Sequence, residues 1–255
     1  MIGFRKRTEP KVACVTASER GLVRKDNQDS LFVDAARTVF CVADGMGGGS
    51  EGATASRFVC EEIAKVAETP DLASRMRAVD AAIGAANAQI RAYSQEKGFK
   101  QMGSTVAVLL VDPAHARKGV ICHVGDSRIY RVRRGSAELL TKDHTIGGEL
   151  SALTRGQQAA GLRSRSNPLA HVLTRAIGTG DEVKADWRKI DVLPGDRLLL
   201  CSDGVHDVVS DGRIGSLLSR PEGLDGLSGR LTADVVAGGA PDNYTYVLVE
   251  IGGTR

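Results

Sequence analysis

Apolar positions along this chain fall into two rhythms, and the change of rhythm marks out its elements. Short apolar runs rich in branched residues, bounded by Gly, Pro, Asn or Asp, read as strands. They cover residues 11–17, 31–34, 38–43, 105–111, 120–124, 128–133 and 137–140, then 187–192, 197–201 and 244–251. Two stretches switch to helical spacing. Ala55, Val59, Ile63 and Val66 share one face of a helix that starts near Ser50 and stops at Thr69-Pro70. Leu72, Met76, Val79, Ile83, Ala86, Ile90 and Tyr93 alternate steps of four and three, behind Asp71 as a helix cap. That seam spans only about three heptads. Its Ala-rich flanks suit packing on a sheet or a neighbouring helix better than dimerisation.

The block from 105 to 140 has the spacing of an antiparallel meander, with turns at Pro113 and at Arg134-Gly135-Ser136. Residues 143–167 lose the pattern to Gly, Gln, Arg and Ser, apart from one helical turn around Leu150 and Leu153. A long irregular stretch in a compact domain is usually a functional loop or a lid. Two short helices are expected between the last two strands. Strands in hairpin-like groups, then helices, then strands make an α+β plan rather than a βαβ one. With no linker and no internal repeat, residues 1–255 read as one domain.

Composition adds exclusions. Hydrophobic residues make up 42% of 255, enough for a substantial core. The 34 basic and 31 acidic residues leave a formal charge of +3, without the clustered cations of a nucleic-acid footprint. No run reaches the length of a membrane span, and no apolar stretch follows the N-terminal charges as a secretory signal requires. A cytoplasmic location is expected. Cys14, Cys41, Cys122 and Cys201 lie in strand-like runs and Cys60 on the apolar side of a helix. Without a Cys-x-x-Cys pair they read as reduced structural thiols, not nucleophiles.

The chemistry sits in five aspartates at the edges of these runs: Asp29, Asp44, Asp126, Asp203 and Asp242. Asp44, Asp126 and Asp203 follow strands, where an unpaired buried charge costs several kcal/mol or more. Each alone could be an ordinary turn carboxylate. Converging carboxylates without a His or Cys cluster point instead to a hard divalent ion such as Mg²⁺ or Mn²⁺. Two such ions about 3.5–4 Å apart can generate a hydroxide near neutral pH and stabilise an in-line displacement at phosphorus. Asp44 is then the candidate to bridge them, with the Gly45 carbonyl as a second oxygen ligand. Asp203 and Asp242 complete one ion's shell. Arg24 carries the guanidinium fork that matches two phosphate oxygens, while Lys25 reads as a solvated charge. Competing plans lack their signatures: there is no Walker motif after Gly47, no Gly-x-Ser-x-Gly elbow around Ser104 or Ser127, and no Asp-x-Asp pair.

Seven motifs occur in order from Arg24 to Val249. They are Arg24-x-x-Asn27-Gln28-Asp29, Asp44-Gly45-Met46-Gly47-Gly48, Gly103-Ser104-Thr105, Gly125-Asp126-Ser127-Arg128, Leu140-Thr141-x-Asp143-His144, Ser202-Asp203-Gly204 and Asp242-Asn243-x-Thr245. In these the chain resembles the metal-dependent serine/threonine phosphatases of the protein phosphatase 2C type, in their small bacterial form. The resemblance implies two central antiparallel sheets sandwiched between helices, an α-β-β-α layering. It implies two or three Mn²⁺ or Mg²⁺ ions, a metal-bound water as nucleophile and no phosphoenzyme. Asp29 would hold metal-bound waters, Asp126 would join Asp203 at a third metal, and residues near 144–168 would form a flap. Substrates would be proteins phosphorylated on Ser or Thr by a bacterial kinase, and a monomer suffices.

Two residues depart from the eukaryotic pattern. Gln28 stands in place of a glutamate that helps hold the second metal's waters. Met46 stands in place of a histidine proposed as general acid, which leaves His144 and His206 as alternatives by sequence. His144 reads more readily as structural, and His206 as the first turn of a helix. Arg155, Arg163 and Arg165, with Arg131, Arg133 and Arg134, could line an entrance for acidic phosphopeptides or simply be solvated. Outside enzymes, the alternative is a silent relative that binds phosphoproteins.

Overall fold

The computed structural model describes residues 11–48, 50–112, 117–153 and 169–252. One sheet has the order β1 (Val12–Glu19), β11 (Tyr244–Ile251), β10 (Arg197–Cys201), β7 (Arg128–Arg133), β8 (Ser136–Leu139). The other runs β2 (Asp29–Val33), β3 (Val39–Met46), β5 (Val106–Val111), β6 (Lys118–Val124), β9 (Asp186–Asp191), with the short β4 (Gly103–Ser104) on the end of β3. Neighbouring strands are antiparallel throughout.

Alternation along the strands builds three core layers. Phe40, Val42, Leu109 and Ile121 from one sheet meet Ile129, Leu198, Leu200 and Val247 from the other, which makes the inter-sheet core. The opposite faces of the same strands, Val39, Cys41 and Ala43 with Val106, Val108 and Cys122, pack under α1 (Ser50–Ala64) and α2 (Leu72–Lys97). Tyr130, Leu199, Cys201 and Tyr246 pack under α5 (Asp211–Leu218) and α6 (Leu224–Ala237). Because both faces are covered, these strands read as continuous apolar runs. The α-β-β-α sandwich expected of the fold is present. The α2 seam faces the core, as expected: Val79, Ile83, Ala86 and Ile90 are buried, with Leu72, Met76 and Tyr93 packed alongside. Asp71 caps the helix by accepting from the Ser74 N–H at 2.9 Å. All five cysteines are free, with Cys41, Cys60, Cys122 and Cys201 buried.

Three expectations need correction. The block 105–140 is not one meander, because β5 and β6 lie in one sheet and β7 and β8 in the other. The chain changes sheets at Gly125-Asp126-Ser127, and the left-handed φ of Gly125 (+95°) makes the turn. Asp44 lies inside β3 rather than beyond its end, since pairing of Gly45 and Met46 with β4 carries the ladder past Ala43. Between β10 and β11 there are three helices instead of two, as Asp203–His206 forms a one-turn α4 ahead of α5 and α6. The helical turn expected near Leu150 is α3 (Ile146–Leu153). Most of the expected flap, residues 154–168 with Arg155, Arg163 and Arg165, lies outside the described residues, as does Pro113.

Strand β3 and helix α1 touch through glycines. A Cβ on Gly45 would fall 2.0 Å from the Gly52 carbonyl oxygen and 2.5 Å from that of Gln28. Gly45→Ala should therefore destabilise the protein by about 1–3 kcal/mol or more by overpacking. A melting temperature equal to wild type would mean that α1 does not approach so closely.

Candidate metal centre

A cavity of about 260 Å³ lies at one end of the sandwich, and Asp44, Asp126, Asp203 and Asp242 all line it. They arrive from four distant segments. Asp44 comes from β3, Asp126 from the turn between the sheets, Asp203 from the start of α4, and Asp242 from the loop before β11. Gly45, Met46 and Thr105 complete one part of the lining, with Arg24, Gln28 and Asn243 from the neighbouring loops. Thr105 Oγ1 accepts from the Asp44 N–H at 3.0 Å and bonds Ser127 Oγ at 2.7 Å, which ties the Asp44 strand to the Asp126 turn. Ser104 Oγ donates to the Asp44 carbonyl at 3.0 Å. Both serines thus brace the site.

Asp29 sits behind the cavity rather than on it, directly opposite Asp44 in the β2–β3 ladder. Its Oδ2 accepts from Ser202 Oγ at 2.7 Å, while its Oδ1 is buried without a hydrogen-bond partner. Burial, weakened by the Ser202 bond and reinforced by Asp203 and Asp242, pushes its pKa up to about 7. Burial also raises Asp44 well above the carboxylate range, reinforced by Asp29, Asp203 and Asp126. Asp126 is raised well by burial and by Asp203, and Asp203 chiefly by burial. Such a group cannot ionise together without a counter-charge. Among the described lining residues Arg24 is the only Lys or Arg, and its Nη2 lies 2.6 Å from Asp242 Oδ2. An all-oxygen donor set with an orphaned buried oxygen and surplus negative charge fits hard divalent cations.

Asn243 organises the approach. Its side-chain nitrogen donates to the carbonyls of Arg20 and Asp26 at 2.8 Å each, and its Oδ1 accepts from the Gln28 N–H at 2.9 Å. It thereby holds the Arg24 loop against Asp242. Gly204 allows this, because a Cβ there would fall 1.9 Å from the Asn243 carbonyl oxygen.

The histidines sort differently. His144 is buried, stacks on His123 at 4.5 Å, accepts from the Gly125 N–H at 3.1 Å and faces Asp186 at 3.3 Å. Burial lowers its pKa to about 4, so it is neutral near pH 7. His123, His144 and Asp186 form the one three-residue cluster of metal-ligand type among the described residues. Their rings lie only 20° from parallel, so their lone pairs do not converge, and Arg175 already holds Asp186 at 2.7 Å. The cluster braces the Asp126 turn. His206 lies in α4, as expected, with Nε2 3.1 Å from the Asp126 carbonyl. Neither His144 nor His206 lines the central cavity; His171 does. Nothing in the sequence singled out His171, which belongs to none of the seven motifs. Arg131 is committed to Glu138 and Arg133 to Asp196, and neither lines the cavity.

A family model described as protein phosphatase 2C matches residues 17–224, a span that includes Arg24, Asp29, Asp44, Asp126 and Asp203. The chain belongs to the protein phosphatase 2C family. It is 35% identical over 235 residues to serine/threonine protein phosphatase PstP of Mycobacterium tuberculosis, covering 92% of this chain but 44% of that protein's length. Protein phosphatase PhpP of Streptococcus pneumoniae is 30% identical over 237 residues, covering 91% of this chain and 94% of PhpP. The solved catalytic domain of PstP in complex with two manganese ions superposes with a TM-score of 0.82 at 32% identity, covering 95% of this chain and 99% of that one.

In metal-free protein the raised Asp29 carboxyl should cost stability as pH rises toward neutral. Asp29 titrates near 7 in the fold but near ~3.9 when unfolded, so folding favours its protonated form. That contribution is complete below about pH 4 and is lost as pH rises through about 7. Chelated protein should therefore melt progressively lower from acid to neutral pH. Mn²⁺ should reverse the loss, by about 2.7 kcal/mol at a hundred times its Kd. Asp44→Asn should flatten the pH slope and abolish the Mn²⁺ gain. A wild-type-sized gain in the variant would remove Asp44 from the metal shell.

Proposed function

We propose that this chain is a metal-dependent phosphatase that removes phosphate from serine and threonine residues of proteins. The observation that carries the reading is the cavity: four carboxylates converge there with Arg24 as the single Lys or Arg among its described lining residues. Asp44, the Gly45 carbonyl, Asp203 and Asp242 would hold two Mn²⁺ or Mg²⁺ ions, and Asp126 with Asp203 a third. Divalent ions bound there supply an activated water and neutralise charge on the phosphoryl group. Asp29 orients water from behind the first carboxylates, aided by Ser202.

Arg24 binds the phosphate. Its guanidinium is about half exposed and now rests on Asp242. Once Asp242 faces a cation, the same fork is free to take two phosphate oxygens. Gln28 contributes an amide at the wall, with no charge. PstP and PhpP are named as phosphatases, and the PstP catalytic domain holds two manganese ions, which supports carrying this chemistry over. We assign the substrates to bacterial serine/threonine kinases in the cytoplasm. The described residues contain no helix long and apolar enough to cross a membrane. A core shared by both sheets supports one catalytic domain, and a monomer suffices for the site.

Hydrolysis of para-nitrophenyl phosphate by chelator-stripped protein, with and without Mn²⁺ or Mg²⁺, tests this. Activity should require metal and vanish in Asp44→Ala. Arg24→Ala should lower kcat/KM by roughly 10–100-fold, the worth of a charge-assisted hydrogen bond of about 1.5–3 kcal/mol. Folded protein that turns over no phosphate ester with any metal would instead support a phosphoprotein-binding relative.

A further inference from the structure

We infer that His171, held by Asp207, is the proton donor to the departing serine or threonine oxygen; the inference rests on the phosphatase reading above. An alkoxide is a poor leaving group, and protonating it as the ester bond breaks typically accelerates such steps by about 10²–10⁴-fold. Met46 lines the cavity but has no proton to give. His171 lines the same cavity and is the one histidine among the described residues that does so.

Its geometry fits the role. His171 Nδ1 lies 3.3 Å from Asp207 Oδ2, and an imidazole so oriented carries Nε2 on the opposite edge of its ring. His206 Nδ1 lies 3.3 Å from the other oxygen, Asp207 Oδ1, while its Nε2 approaches the Asp126 carbonyl. Asp207 thus stands between a buried imidazole and an exposed one, with His171 at 42% side-chain exposure. A second cavity of about 190 Å³ shares Asp126 and His171 with the first, so the ring stands where the two meet. The backbone around His171 is fixed. Val172 donates to Leu169, Ile146 donates to Val172, and Leu173 pairs with Thr145. Besides Asp207, which contacts the ring, the charged groups that share the first cavity with it are Asp126, Asp203, Asp44, Asp242 and Arg24. Arg128, Asp143, His206 and Asp211 share the second.

The step balances. The bond from phosphorus to the seryl or threonyl oxygen breaks, and a new one forms to the oxygen of water. The ester oxygen takes the proton from His171 Nε2 and leaves as the alcohol. Water keeps one proton on the product phosphate and gives the other to solvent, and solvent reprotonates the imidazole.

The test compares a phosphothreonine peptide, whose leaving group needs a proton, with para-nitrophenyl phosphate, whose leaving group needs far less help. In Mn²⁺-loaded enzyme, His171→Ala and His171→Gln should lower kcat on the peptide by roughly a hundredfold, and on the aryl ester by much less. The decline of the peptide rate toward alkaline pH should disappear in both variants. Asp207→Asn should shift the two substrates in the same sense by less. Equal losses on both substrates, an unchanged peptide rate, or an alkaline limb that survives in His171→Gln would overturn the assignment. Wild-type enzyme inactive on both esters would remove the phosphatase reading, and this role with it.

Discussion

Mutual repulsion among recessed carboxyl groups is the constraint from which the rest of this structure follows. Asp29, Asp44, Asp126 and Asp203 each have their pKa raised by burial first and by neighbouring carboxylates second, Asp203 acting on the other three and Asp242 and Asp207 acting on Asp203. A fold that brings such groups together loses stability unless cations supply what the protein lacks. Arg24 does not make up the difference, since it reaches only Asp242 and remains half exposed. Around this charge the protein spends its polar scaffolding: Thr105 and Ser104 on Asp44, Ser202 on Asp29, His206 on Asp126, Asn243 on the Arg24 loop. Each fixes a backbone or a carboxyl that would otherwise move away.

The sandwich makes that convergence possible. Two sheets stacked face to face bring strand ends together at the rim, and a chain that changes sheets there deposits its turn beside them. Asp126 owes its place to this crossing, and Asp203 to the immediate passage of β10 into α4. Close backbone approach does the rest. Gly45 against Gly52, and Gly204 against Asn243, leave no room for a Cβ. The glycines beside the aspartates are therefore packing requirements of the site as much as turn formers.

Much of this was legible in the chain. Strands covered on both faces showed as unbroken apolar runs, and the α2 pattern placed Val79, Ile83, Ala86 and Ile90 in the core, though not the buried Arg75, Ala82 and Asn87 beside them. The aspartates that line the cavity stood out because each sits at the edge of such a run, Asp44, Asp126 and Asp203 after one and Asp242 before one. What escaped has physical causes. A strand that switches sheets has the same periodicity as one that continues a meander, so the break at Gly125 was invisible to local pattern. The extension of β3 beyond Asp44, to Gly45 and Met46, depends on a two-residue partner, β4, too short to carry a signal. His171 sits in no motif, and only tertiary folding brings it to Asp207 and the cavity.

The placement of His171 also answers a difficulty that the carboxylates create. A proton donor must reach the leaving oxygen without occupying the space that cations would take among these aspartates. A ring at the rim, partly in water and paired with Asp207 rather than with the carboxylates of the first cavity, leaves that space free while still lining it. Asp207 serves this end because its second oxygen faces buried His206, which is itself anchored on the Asp126 carbonyl. The donor is thus mechanically coupled to the centre without being electrostatically captured by it. Replacing a histidine at Met46 by one at His171 moves the proton source from the glycine-rich end of β3 to the loop beside α3.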